Sequence, residues 1–349
     1  MLWTAFWDAR NFKEDFIMLK VGLIGCGFMG GMHSACYKEI DGVSIIAVAD
    51  VRPEKAAEIA KIHNAKIFAT GMDLIANADV DVVDICLPTY LHTEHAVAAM
   101  KAGKNVFVEK PVCLNKEEGA LLLKTEKETG AKVQVGQVIR LWDEYAWLKG
   151  VADSGEYGKI QSAVFKRLSS TPTWAWEGWL HDASKSGSVA LDMHIHDVDF
   201  VRYLMGEPKD FTSSVVRNDT GCIEQIFTTF RYDDAAVTVE ACWDYPADFP
   251  FDAAFRVKFE KATAVLDFNG LTVYFKDGGQ TKPEITPAFE ASNDIGGNLS
   301  SLGGYYNELK YFVDKLNAGE ELTVAPLSEG VKSAELVFSE IESVGGAQL

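Results

Sequence analysis

Between residues 19 and 136 the chain repeats one hydrophobic pattern. Short runs of nearly continuous apolar residues, at 19–24, 44–49, 80–87, 106–108 and 133–136, are separated by longer stretches of helical character. A run that is apolar at successive positions predicts a strand buried on both faces. Helices are predicted after Gly30 and over 53–61, 91–102 and 116–129, with Pro53 in a first turn and Gly103 and Gly130 as stops. A two-residue strand is expected at 67–68. Strands and helices that alternate in this way specify a parallel sheet wound on both faces, with every strand C-terminus at one edge.

Beyond residue 139 the rhythm changes. A helix over 143–152 leads to a strand over 159–169, a tryptophan-rich loop over 171–186 and a helix over 189–204. Strands then follow one another at 211–216, 223–232, 236–243, 253–260, 264–268 and 271–275, several of them separated by turn residues such as Tyr232-Asp233-Asp234. Helices over 305–317 and 328–343 close the chain. The second half therefore predicts an α+β unit with a large, open, mostly antiparallel sheet. Alternating small and polar residues along 236–241 suit one face of that sheet to contact between protomers, so a homo-oligomer through the C-terminal sheet is expected.

The first strand ends in Gly25-Cys26-Gly27-Phe28-Met29-Gly30. Gly25 permits the tight turn, Gly27 lets backbone approach a pyrophosphate, and Gly30 lets the next helix pack closely on the strand. The helix N-terminus then offers N–H groups to phosphate. The second strand ends at Asp50, 20 residues beyond Gly30, the ~20-residue spacing at which an acid takes the ribose hydroxyls. This predicts a Rossmann domain that binds NAD. Asp50 accepts a 2′-hydroxyl and repels a 2′-phosphate; Arg52 is read as packing beside the adenine, although an arginine there can also accommodate that phosphate. The expected domains are an N-terminal extension (1–17), an NAD-binding Rossmann domain (18–139) and a substrate-binding and oligomerisation domain (140–349). The extension ends just before Met18, a natural start, and its aromatics Trp3, Phe6, Trp7, Phe12 and Phe16 could dock on a neighbour.

Composition narrows the function. The formal net charge of −18 repels a nucleic-acid backbone. No apolar run reaches membrane-spanning length, and residues 1–17 carry acids that do not suit a signal peptide. Six cysteines without a C-x-x-C pattern suit small buried hydrophobes of a reducing cytoplasm, not a disulfide or zinc framework.

Three motifs, Gly25-x-Gly27-x-x-Gly30, Glu109-Lys110-Pro111 and Asp192-x-x-x-His196-x-x-Asp199, stand in order along the chain. With Pro88-Thr89-Tyr90-Leu91-His92 and 202–208 as weaker matches, the chain from Leu19 almost to its end resembles the glucose–fructose oxidoreductase / inositol dehydrogenase / MocA family. The resemblance implies the two-domain fold, a nicotinamide cofactor, and redox chemistry at a carbon of a sugar, polyol or related molecule. Departures are His194, where the family often has glycine, and Ser186-Gly187-Ser188 in place of a double glycine.

Lys110 follows a strand at the cofactor edge, where its ammonium can stabilise a developing alkoxide; the bland reading is a surface lysine. Asp192 and His196 share a face of a helix, so the carboxylate can orient the imidazole, which takes the hydroxyl proton. Lys110, Asp192 and His196 are the expected catalytic set, with the base role of Lys110 against His196 left open. Were 192–196 a strand, Asp192, His194 and His196 would instead line up as metal ligands; the helical reading is preferred and no metal is expected. Phe28, Met29, Pro88, Thr89, His92, Glu109, Lys110 and Gln137 should line the cofactor beside Gly25, Gly27, Gly30, Asp50 and Arg52. Arg140, Trp174, Trp176 and Asp199 are further substrate candidates, the indoles as flat faces for a sugar or its aglycone, or else as a buried anchor. The expected activity is NAD-dependent oxidation of a ring secondary hydroxyl, of the inositol type or at the 3-position of a pyranose. Oxidation of a glycoside would in turn suit a partner lyase. The alternatives are a non-catalytic sensor of NAD or sugar, and a reductase of C=C or C=N bonds.

Overall fold

The computed structural model describes residues 18–287 and 303–345; the N-terminal extension and its aromatics lie outside them. The first half runs β1 (Leu19–Ile24), α1 (Phe28–Glu39), β2 (Val43–Ala49), α2 (Pro53–His63), β3 (Lys66–Phe68), α3 (Gly71–Asn77), β4 (Val82–Ile85), α4 (His92–Lys101), β5 (Asn105–Glu109), α5 (Lys116–Thr129) and β6 (Val133–Gly136). The six strands pair in parallel in the order β3-β2-β1-β4-β5-β6. The strand order reverses between β1 and β4, so a crevice opens above their C-terminal ends. Local chemistry fixes the ends of the helices. Asn115 caps α5 by accepting from the Glu118 N–H at 2.9 Å, and Gly130, at φ +70°, ends it. Helix α3, capped by Thr70, is not in the sequence-based reading. It is seven residues long and starts on a glycine, too short for a helical period to show.

The second half runs α6 (Asp143–Ser154), β7 (Ile160–Ser170), α7 (Ala183–Ser186), α8 (Ile195–Met205), β8 (Asp210–Arg217), β9 (Ile223–Arg231), β10 (Ala236–Tyr245), β11 (Asp252–Phe259), β12 (Ala262–Asp267), β13 (Gly270–Phe275), β14 (Gln280–Thr281), α9 (Gly303–Asn317) and α10 (Leu327–Ser343). Its eight strands are ordered β14-β13-β12-β11-β7-β10-β9-β8. Every neighbouring pair is antiparallel except β7 with β10. The fold class is therefore the expected one: a Rossmann sheet followed by a large, mostly antiparallel sheet.

Two features join the halves. One apolar core runs from Ile24, Ile85 and Val135 beneath the first sheet to Phe165, Phe200 and Val257 against the second. Helix α9, late in the chain, returns to the first sheet and buries Leu309, Phe312 and Val313 in the core of β1 and β2, with Phe312 edge-on to Phe107 at 5.5 Å. The two sheets are thus held in fixed relation, which lets residues from both meet at one crevice.

Candidate active site

The glycine turn has the geometry of a phosphate cradle. Gly25 sits at φ +89°, and a Cβ there would come within 2.4 Å of the Cys86 carbonyl oxygen; a Cβ on Gly30 would come within 1.9 Å of the Gly25 carbonyl oxygen. Neither position accepts a side chain. A Cβ on Gly27 would meet only the Arg52 guanidinium, at 3.4 Å. The N-terminus of α1 has no side-chain cap and no acid in its first turn, so its leading N–H groups are left for an anion. Asp50 closes the other bank. It accepts from the Cys26 N–H, the Arg52 N–H and two guanidinium nitrogens of Arg52, all at 2.8–2.9 Å. Burial pushes its carboxyl up, but these hydrogen bonds outweigh that and hold it below the usual carboxylate range.

Lys110 stands at the end of β5. Its Nζ crosses to the second half and donates to the Asp192 carboxylate at 2.9 Å and to the Asp192 carbonyl at 2.6 Å. An ammonium has three N–H donors, so one is left for an oxygen in the crevice. Asp192 lies in a π-helical turn, Ala190–His194, that runs directly into α8. His196 sits one residue into α8, half-buried, with Nδ1 enclosed and unpartnered among the described residues. Burial, helped by the charges of Lys110 and Arg167, holds its imidazole well below its usual pKa and so neutral.

Several side chains are placed otherwise than the sequence suggests. Asp192 does not bond His196; its carboxylate is spent on Lys110. The π turn inserted before α8 changes the stacking that i and i+4 positions have in an α-helix. Arg140 and Asp199 were candidates for substrate. Instead they are buried together, with two bonds of 2.7 Å between guanidinium and carboxylate, and Ser333 also donates to Asp199 at 2.6 Å. That leaves neither charge for a ligand. Glu109 points inward, its carboxylate on His33 Nε2 at 3.1 Å. His92 is also buried. Its Nδ1 lies 2.8 Å from the Pro111 carbonyl and its Nε2 2.7 Å from the Leu87 carbonyl. The ring ties the loop after β4 to the Lys110–Pro111 turn, with both nitrogens against backbone carbonyls. His194 does not line up with Asp192 and His196 as a metal set, because its Nε2 bonds Glu340 at 2.7 Å.

Thr89 and Gln137 are buried at the strand edge, Gln137 with both amide atoms unpartnered among the described residues, and Met29 is half-buried on the core of β1 and β2. Trp174 and Trp176 lie against Phe28 and Arg52, on the nucleotide bank.

A buried polar cluster beneath the cradle escaped the sequence reading. His33 bridges Asp84, at 2.8 Å, and Glu109. Burial alone would lower the His33 pKa, but the Asp84 charge and hydrogen bond outweigh it and keep the ring charged. Glu308 of α9 approaches the same group, and burial together with the Glu109 charge raises its pKa well above the usual value, so it keeps its proton. The available signal was Asp84, a charge inside an otherwise apolar strand.

Residues 19–137 match the model of the oxidoreductase family with an NAD-binding Rossmann fold, and residues 145–265 match the GFO/IDH/MocA C-terminal domain. The chain belongs to the GFO/IDH/MocA family. Both halves fit, in the order that the two sheets require, and NAD is the cofactor of the Rossmann half. Inositol 2-dehydrogenase of Rhizobium meliloti is 26% identical over 340 residues, covering 93% of this chain and 97% of that protein. Myo-inositol 2-dehydrogenase of Thermotoga maritima is 32% identical over 190 residues, 54% of this chain and 55% of its own length. Among solved structures, levoglucosan dehydrogenase in complex with NADH and levoglucosan superposes with a TM-score of 0.81, covering 94% of this chain and 97% of that one. At 23% identity this likeness shows a shared fold.

Proposed function

We propose that this GFO/IDH/MocA protein oxidises a ring secondary hydroxyl of an inositol-type polyol or related sugar, with Lys110, Asp192 and His196 as its catalytic set. The observation that carries the reading is the Lys110–Asp192 pair, which joins the cofactor edge of one sheet to the turn that leads into α8 and His196. NAD held there would supply the acceptor for the hydride that leaves the carbinol carbon. The cradle that would hold it consists of Gly25, Gly27, Gly30, the N-terminus of α1 and Asp50.

The remaining N–H of Lys110 donates to the substrate oxygen and stabilises the charge that grows there. Asp192 fixes the ammonium from two sides. The neutral His196 accepts the hydroxyl proton. This division makes His196 the base and Lys110 the electrostatic partner. The relatives named as inositol dehydrogenases support a polyol. The indoles that suggested a glycoside lie on the nucleotide bank, so a free polyol leads and a downstream lyase is not required. We also keep the boundary near residue 139 as the division between cofactor and substrate domains, and the cytoplasm as the working compartment. Among the described residues no helix is long and apolar enough to cross a membrane.

The test is direct. Purified protein with NAD is offered inositols, aldoses, anhydrosugars and glycosides, and NADH absorbance is followed. Activity on an inositol or a sugar is expected. Lys110→Met and His196→Asn should each lower kcat by roughly 10²- to 10⁴-fold in folded protein. Full activity in both variants would refute the site.

A further inference from the structure

The loop between β7 and α7 makes contacts that neither half of the fold requires. Its base is pinned: Leu180 is buried, the Ser186 hydroxyl donates to the Leu180 carbonyl at 2.7 Å, and His181 Nε2 lies 2.9 Å from the Pro172 carbonyl, closing the loop on itself. Just past the loop, in α7, the Lys185 ammonium lies over the Tyr90 ring, at 5.7 Å. Between these points the chain turns through Glu177 and Gly178, both left-handed at φ +52° and +63°.

Two indoles reach the nucleotide domain from this loop. Trp174 meets Phe28, the residue that opens α1 directly after Gly27, with ring centroids 5.7 Å apart. Trp176 lies under the Arg52 guanidinium, 5.7 Å from its centre, and Arg52 is the residue bonded to Asp50. Phe28 and Arg52 stand on opposite banks of the cradle. One short segment of the second half thus touches both banks. The indoles are not core anchors, since Trp174 is 66% exposed and Trp176 38%. A flat aromatic face left partly open over a groove is suited to a planar, partly apolar ligand, and a dinucleotide supplies one.

We propose that Trp174 and Trp176 form a strap across the dinucleotide cradle and slow the release of NAD(H). The inference rests on the cofactor assignment and reassigns the two indoles from substrate to cofactor. Trp174 is held by one ring contact and Trp176 by one cation–π contact, while Ala175 between them packs on the core and the base of the loop is fixed by hydrogen bonds. The indoles can therefore swing aside by side-chain rotation without unfolding the loop. Cofactor exchange then waits on the strap, and a second substrate can enter before the nucleotide leaves.

The test uses the full chain loaded with NADH and mixed with excess NAD, following the loss of NADH fluorescence in a stopped-flow instrument. Nucleotide retained after gel filtration is measured in parallel. Trp174→Ala and Trp176→Ala should each speed NADH release by roughly three- to tenfold, the worth of one aromatic contact, and Trp176→Phe should restore slow release. Circular dichroism identifies any variant that has lost its fold, and for such a variant the Phe substitution serves instead. Release at the wild-type rate from the folded double variant would overturn the strap. A raised polyol KM with that unchanged release would return the indoles to the substrate. A wild-type protein that binds no dinucleotide at all would instead refute the cofactor assignment, and the strap with it.

Discussion

Two side chains show how much one residue's partners decide. His196 is neutral because burial and two nearby cations disfavour its charged form. A base works only while unprotonated, and a lowered pKa moves the loss of that form to lower pH. The acid limb of log(kcat/KM) is therefore expected well below pH 6.5, with a flat profile through that value; a limb centred at 6.5, the ordinary imidazole value, would overturn the lowered pKa. Asp50 carries four donors on a carboxylate with about four acceptor sites. A ribose hydroxyl must take the place of an Arg52 bond to reach it. Asp50→Ala removes the carboxylate that repels a 2′-phosphate and frees Arg52, so the ratio of kcat/KM for NADP to that for NAD should rise, on the order of tenfold. Steady-state kinetics with both cofactors measures this. The residue types at positions 50, 110 and 196 were legible in the sequence. Which oxygen meets which nitrogen was not, because those distances arise only when separate elements pack.

At the scale of elements, the strands of the first sheet are the easiest to read, since all but the edge strand β3 are largely buried and mostly apolar. The turn at Ala190–His194 is the hardest. Its residues are helix-compatible, so the helical reading of 189–204 holds in outline, but one wider turn separates Asp192 from His196. Downstream, α8 buries Asp197 and Asp199, each against an arginine from another element: Asp197 on Arg167 of β7, Asp199 on Arg140 before α6. A buried charge is tolerated only when paired. Arg140→Leu leaves Asp199 without its cation and should cost about 3–5 kcal/mol of stability, read from urea unfolding. If the same change left stability intact and raised the polyol KM alone, Arg140 would belong to the substrate after all. The motif Asp192-x-x-x-His196-x-x-Asp199 thus mixes candidate catalytic groups with a structural one, and spacing cannot separate them.

Across the whole molecule, one core spans both sheets and α9 clamps the first sheet from a distant part of the chain. The crevice is therefore held by packing and not by a linker. The second sheet exposes Val216, Phe227 and Tyr274, and a sheet of this size with apolar residues on an open face suits self-association. We expect a homo-oligomer built through that sheet. Light scattering should give a mass above that of one chain, and Phe227→Lys should lower it; a strict monomer at micromolar concentration would remove the proposal.

The sequence by itself determined the order of the longer elements, the glycine cradle with its acid, and the lysine and histidine that carry the proposed chemistry. These are set locally, by backbone conformation, by apolar period and by the few residue types that can do such work. Tertiary structure decided the pairings: Asp192 with Lys110, Asp199 with Arg140, Glu109 with His33, and the indoles with the nucleotide bank. A charge or a ring takes whichever partner lies within a few ångströms once the core has closed. That distance depends on how the sheets and α9 pack, which no stretch of chain records alone.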